Sequence, residues 1–71
     1  MTLLLNPILE GLEAARRAAA DTIRPDDEVS VDDQGDRWVF EFIPRANALG
    51  GGARVWVAKD AFQVLRVVRG Q

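Results

Sequence analysis

Arg37-Trp38-Val39-Phe40-Glu41-Phe42-Ile43-Pro44 is the stretch that decides the fold. Large side chains alternate along it: Trp38, Phe40 and Phe42 fall on one face of a strand, and Arg37, Val39, Glu41 and Ile43 on the other. A period of two with aromatic and β-branched residues is the signature of a strand with at least one buried face. Pro44 closes it, because proline has no N–H to give to a central ladder.

Strand-like segments continue on both sides. Upstream, Glu28–Asp32 alternates with Val29 and Val31 on one side, a short strand bounded by the turns Asp26-Asp27 and Asp33-Gln34-Gly35-Asp36. Downstream, a loop over Arg45–Gly52 ends in three glycines. Arg54–Lys59 follows as a strand, with Val55 and Val57 on one face and Arg54, Trp56 and Ala58 on the other. Asp60-Ala61-Phe62 turns the chain, and Gln63–Arg69 forms a last strand with Leu65 and Val67 inward. Connections this short make sequential strands antiparallel neighbours.

The N-terminal part has a different period. From Ile8 the apolar residues fall at Leu12, Ala15, Ala19 and Ile23, one stripe of a helix with about 3.6 residues per turn. Asn6-Pro7 is a start signal, a capping side chain followed by a proline that loses nothing at the first helical position. Arg24-Pro25 is the stop, since the residue before proline is pushed out of the α region. Glu13 and Arg17 form a favourable pair one turn apart on the polar side.

The expected architecture is therefore α+β. One domain spans residues 1–71, with a helix over about 7–23 and strands over about 28–32, 37–43, 54–59 and 63–69. The helix packs on one face of a three- or four-stranded antiparallel meander. Both faces carry hydrophobes, so the sequence leaves open which one the helix covers. If Trp38, Phe40 and Phe42 face the helix, then Val39, Ile43, Trp56, Val64 and Val68 point away, among arginines. Either a second chain covers that face or the sheet curls over part of it. An apolar and aromatic patch rimmed by arginine is the usual composition of an interaction surface.

Composition narrows the functions. Seventy-one residues is near the lower limit for a chain that stabilises itself by burial. With neither cysteine nor histidine there is no disulfide, no thiol nucleophile, no imidazole base and no cysteine–histidine metal site. Ser30 is the single serine and has no base within sequence reach. Asp32-Asp33-Gln34-Gly35-Asp36 has the acid density of a calcium loop but lacks the spaced ligands and the closing glutamate. Gly50-Gly51-Gly52 leads into a strand instead of the lysine and helix that a phosphate loop needs. The expectation is a protein without catalytic activity, cofactor or metal.

The net charge of −2 hides an asymmetry. Residues 1–36 hold nine acids against three arginines, a balance of −6; residues 37–71 hold six bases against two acids, a balance of +4. So acidic a chain is a poor general ligand for nucleic acid. The opening Met1-Thr2-Leu3-Leu4-Leu5 has no basic region and only three apolar residues in a row, too few for a signal peptide, and no stretch is long enough to span a bilayer. A soluble cytoplasmic protein is expected, with no nucleic-acid or membrane partner.

The cadence Trp38-Val39-Phe40 … Pro44 … Gly51-Gly52 … Val55-Trp56-Val57-Ala58-Lys59-Asp60 … Val64-Leu65 … Arg69-Gly70-Gln71 resembles small bacterial immunity proteins with a nuclear-transport-factor-2-like fold. The resemblance covers residues 38–71 and implies a cystatin-like arrangement of helix and curved sheet. It also implies a function, neutralising a cognate toxin by binding it. Two positions depart from the pattern: Phe62 stands where the family has a turn glycine, and Arg69 where it has a closing histidine. The order of elements is also similar to PepSY-type regulatory domains, although the Asp-x-x-Thr-Gly turn usual there is missing.

On this reading the candidate contact residues are Val39, Arg54, Trp56, Val64, Arg66 and Val68 on the outer sheet face, with Phe62 as an exposed aromatic anchor. The acidic turns, Asp26, Asp27 and Glu28 together with Asp32, Asp33 and Asp36, are the second candidate patch, suited to steer association with a basic cleft. Two other readings stand beside it. One is a self-associating domain, a homodimer whose sheets meet through Trp56. The other is a cone-shaped α+β protein that binds a small ligand.

Overall fold

A computed structural model describes residues 7–45 and 51–70. It has one helix, α1 (Pro7–Ala18), and four strands, β1 (Glu28–Asp33), β2 (Arg37–Ile43), β3 (Ala53–Ala58) and β4 (Val64–Arg69). The strands form one open antiparallel sheet in the order β1-β2-β3-β4, a simple meander. Asn6, the expected helix cap, lies outside the described residues, as do positions 46–50 of the glycine-rich loop.

Helix α1 covers the face that bears Trp38, Phe40 and Phe42. Register explains the fit: Trp38 lies beside Val57, Phe40 beside Val55 and Phe42 beside Ala53. Large groups on β2 thus stand next to smaller ones on β3, and the helix settles chiefly over β3 while also reaching β2 and β4. Gly11 and Ala15 are the helix's buried residues. A Cβ on Gly11 would stand only 2.7 Å from the Trp38 ring, so a glycine there is what lets helix and sheet approach. Phe40, Phe42, Val55 and Val57 are the largest fully buried side chains. Burial of groups this size stabilises by about 1.5–3 kcal/mol each before conformational entropy is set against it.

The helix ends at Ala18, a turn earlier than the apolar stripe suggests. The chain still carries the stripe inward: Ala19 is buried, and its carbonyl accepts the N–H groups of both Thr22 and Ile23. Arg69 of β4 ties this end down, donating to the Asp21 carboxylate at 3.1 Å and to the Ala18 carbonyl at 3.4 Å. Asp27 fixes the next turn by accepting the Arg24 N–H at 3.0 Å.

Two readings of the β3–β4 hairpin need correction. A register shift between Trp56 and Val57 opposite β4 changes the alternation there. Val64, expected on the outer face, packs against the core, and Leu65, expected inward, is 43% exposed. The turn before β4 holds two successive left-handed residues, Ala61 (φ 59°) and Phe62 (φ 53°). Phe62 is therefore no exposed anchor. Its ring stacks on Trp38 with centroids 6.2 Å apart and planes 6° apart, and closes one end of the core. The positive φ that favours glycine is occupied by an aromatic because stacking offsets its cost, about 1–2 kcal/mol per residue.

Strand β1 lies beyond the helix. Only Val29 in it is half-buried, and Val31 is 40% exposed although it sits on the helix side of the sheet. Glu28, Asp32 and Asp33 make this an acidic edge, a composition that discourages pairing with another strand.

Candidate functional site

The outer face of the sheet bears apolar side chains that no described element covers. Alternation and register place its side chains in rows across the strands. One row runs Asp32, Val39, Trp56, Arg66, and the next Ser30, Glu41, Arg54, Val68. Ile43 continues the surface beside Glu28 and is 38% exposed; Val68 is 42% exposed.

Trp56 is the centre of this face. Its ring is half-buried, and the Arg66 guanidinium lies 5.3 Å from the ring centroid. An arginine held over an indole face is attracted by the ring quadrupole and presents a flat, amphipathic surface. Val39, the next residue in the row, is only 8% exposed despite facing away from the helix. Glu41 and Arg54 pair across β2 and β3 at 3.2 Å, with both side chains about half exposed. An exposed pair of this kind adds only about 0–1 kcal/mol to folding. Its charges remain available to a partner.

Two open depressions flank that pair. The larger, about 460 Å³, is lined by Pro44, Gly52, Trp56, Arg66, Val68 and neighbours. The smaller, about 210 Å³, is lined by Ser30, Asp32, Gln34 and Val39. Glu41, Arg54 and Trp56 line both and form the ridge between them. Charge changes sign across the face: Glu28 and Asp32 on β1, Glu41 and the Asp36-paired Arg37 on β2, Arg54 on β3, Arg66 on β4.

The candidate residues therefore separate. Val39, Arg54, Trp56, Arg66 and Asp32 share the outer face. Asp33 and Asp36 belong to the β1–β2 turn, where local partners hold them. Lys59 Nζ donates to Asp33 at 2.8 Å and the Gly35 N–H donates at 2.9 Å, so the Asp33 carboxyl titrates below the ordinary aspartate value. Arg37 donates to Asp36 at 2.9 Å and lowers its pKa in the same way. The acidic turn is thus partly neutralised from within, by Lys59 and Arg37. Asp26 likewise pairs with Arg45 at 3.4 Å. Phe62 is in the core.

Glu41 is the residue that sequence reasoning passed over. Its partner Arg54 is thirteen positions away, and only the strand register shows them side by side. Among the described residues no three acidic side chains gather as a metal ion would need. No helix among them is long and apolar enough to cross a membrane.

The fold defines the chain as an α+β protein; among the described residues one sheet face lies under the helix and the other is uncovered. No family model matches the chain, and no curated protein or solved structure matches it either.

Proposed function

We propose that this chain is a protein-binding module whose contact is the outer face of β2–β4. The observation that carries the reading is Trp56 with Arg66 over it, set between two open depressions on a sheet face that no described element covers. Tryptophan and arginine are the residues most often found where binding energy concentrates, and apolar ground around them excludes water on association. The half-exposed Glu41–Arg54 pair would give orientation and not bulk affinity.

The partner class follows from the resemblance over residues 38–71: a cognate bacterial toxin, neutralised by direct binding in the cytoplasm. The absence of thiol and imidazole groups is in keeping with a binding role over catalysis. Between the two candidate patches the sheet face is favoured over the acidic turn, because only the sheet face sets a tryptophan and exposed aliphatic groups beside its charges.

The test is capture of partners from the host by the tagged chain, followed by calorimetric binding to a captured toxin. Trp56→Ala should weaken the complex by about a hundredfold, an effect of hot-spot size. Charge reversal at Asp36 should leave it within a few-fold. Equal affinity for wild type and Trp56→Ala would remove the sheet face as the contact.

A further inference from the structure

The outer face is complementary to a second copy of itself, and the order of charges across it says how two copies would meet. Acids lie on β1 (Glu28, Asp32), an ion pair lies in the middle, and Arg66 lies on β4. Two sheets packed face to face about a two-fold axis have two limiting arrangements. With the axis across the strands, β1 lies over β1 and β4 over β4, so like charges face each other. With the axis along the strands, β1 lies over β4 and β2 over β3. That rotation keeps each residue at its own height along the strands, so members of one row meet the same row of the other copy.

The consequences can be read row by row. In the first row Asp32 meets Arg66 of the second copy, and Val39 meets its Trp56. In the second row Glu41 meets Arg54 of the second copy. Each contact occurs twice by symmetry, and no like charges are opposed in either row. From these observations we infer that the free chain forms a face-to-face homodimer about an axis parallel to the strands, through Asp32–Arg66 and Glu41–Arg54 contacts around Trp56. The inference rests on the proposal that this face is an association surface. It deepens that proposal by making a second copy the resting occupant, which a tighter partner must displace.

Size sets the strength. Four strands about 4.8 Å apart and six residues long give a footprint of about 19 by 20 Å, or roughly 400 Å² per copy. Stable complexes use about 800 Å² per partner, so a dissociation constant on the order of 10–100 µM is expected. Such a dimer protects the apolar strip yet gives way to a nanomolar partner.

Charge exchange tests the geometry directly, using the full chain in sedimentation equilibrium. Asp32→Arg alone opposes two cations twice, and Arg66→Asp alone opposes two anions twice. Each variant should lose about tenfold or more in self-affinity. Their equimolar mixture restores both contacts and should dimerise within about threefold of wild type. Unchanged far-UV circular dichroism shows that neither substitution unfolds the chain. A wild type that stays monomeric at about 1 mM, ten times the weakest constant expected, overturns the inference. So do variants that dimerise as tightly as wild type, a mixture that restores nothing, or masses beyond the dimer, which would indicate pairing of strand edges.

The same variants separate this inference from the proposal beneath it. If wild type is monomeric but Trp56→Ala still loses the toxin-like partner, the dimer fails and the binding reading stands. If the charge exchange behaves as described while Trp56→Ala leaves partner binding intact, the dimer stands and the binding reading fails.

Discussion

The two faces of this sheet are built from the same strands to opposite rules. Along β2, Phe40 is fully buried under the helix, while its neighbours Val39 and Glu41 look out on the other side. The inner face is filled by fit: a glycine and alanines on the helix, aromatics on β2, valines on β3. Its charged neighbours are Arg16, 5.7 Å from the Phe42 ring centroid, and Lys59, 5.5 Å from that of Trp38. The outer face also has apolar groups but no described element to cover them, and intersperses them with charges whose sign changes from edge to edge. Burial on one face provides the fold, and what it leaves over on the other face is available for association.

That contrast breaks most visibly at Phe40. Phe40→Ala removes a fully buried ring and should cost about 3–5 kcal/mol, most of what a small domain possesses. Urea denaturation should find it largely unfolded without denaturant, and a midpoint near wild type would mean that the inner face is not the core. Gly11→Ala comes next. In an exposed helix that change stabilises by about 0.5–1 kcal/mol, but here the new methyl meets Trp38 at 2.7 Å. Overpacking should prevail, with a net loss of about 1–2 kcal/mol in the same assay.

On the outer face the effects on folding should be smaller. Trp56→Ala should lower stability by about 1–2 kcal/mol, less than Phe40→Ala, because Trp56 keeps part of its surface exposed while Phe40 is fully buried. A loss as large as that of Phe40→Ala would erase the distinction between the faces. Ala61→Gly sharpens the comparison from the turn, since Ala61 has φ 59° and takes no part in the core cluster. It should raise the denaturation midpoint by about 0.5–1 kcal/mol equivalent.

The smallest expected effect is electrostatic. Asp33 and Asp36 have folded pKa values lowered chiefly by side-chain hydrogen bonds from Lys59 and Arg37 respectively. Their contribution to stability is therefore present above the unfolded value of about 3.9 and is lost as pH falls through the lowered values. Both are fully exposed, so the acid limb should be shallow. Lys59→Met should return Asp33 toward its ordinary value in an NMR carboxyl titration while Asp36 moves little. An unshifted Asp33 would contradict the assigned cause.

Much of the architecture was legible because its signals are local. The alternation of Trp38, Phe40 and Phe42 and the spacing of Ile8, Leu12 and Ala15 each point to one period, and short turns leave few ways to connect the pieces. What failed depended on geometry that sequence does not carry. The register shift beside Trp56 exchanged the faces of Val64 and Leu65, which no alternation rule anticipates. Phe62 looked exposed because an aromatic in a turn has no local partner; its partner, Trp38, lies on another strand. Gly11 sat on the apolar face without being counted, since a glycine adds nothing to hydrophobic periodicity. The outer surface was legible as a set of residues, but its ordering into rows, and hence the pairing of Glu41 with Arg54, required the strand register.

The central claim is that the outer face associates while the inner face only folds. The two tryptophans report on the two faces separately, Trp56 outside and Trp38 buried inside. Their indole N–H resonances should therefore be followed by NMR as the protein is concentrated from about 10 µM to about 1 mM, a range spanning the expected dissociation constant. The Trp56 resonance should move in a saturable way while Trp38 stays fixed. A Trp56 resonance that never moves, or a Trp38 resonance that moves with it, would contradict the account.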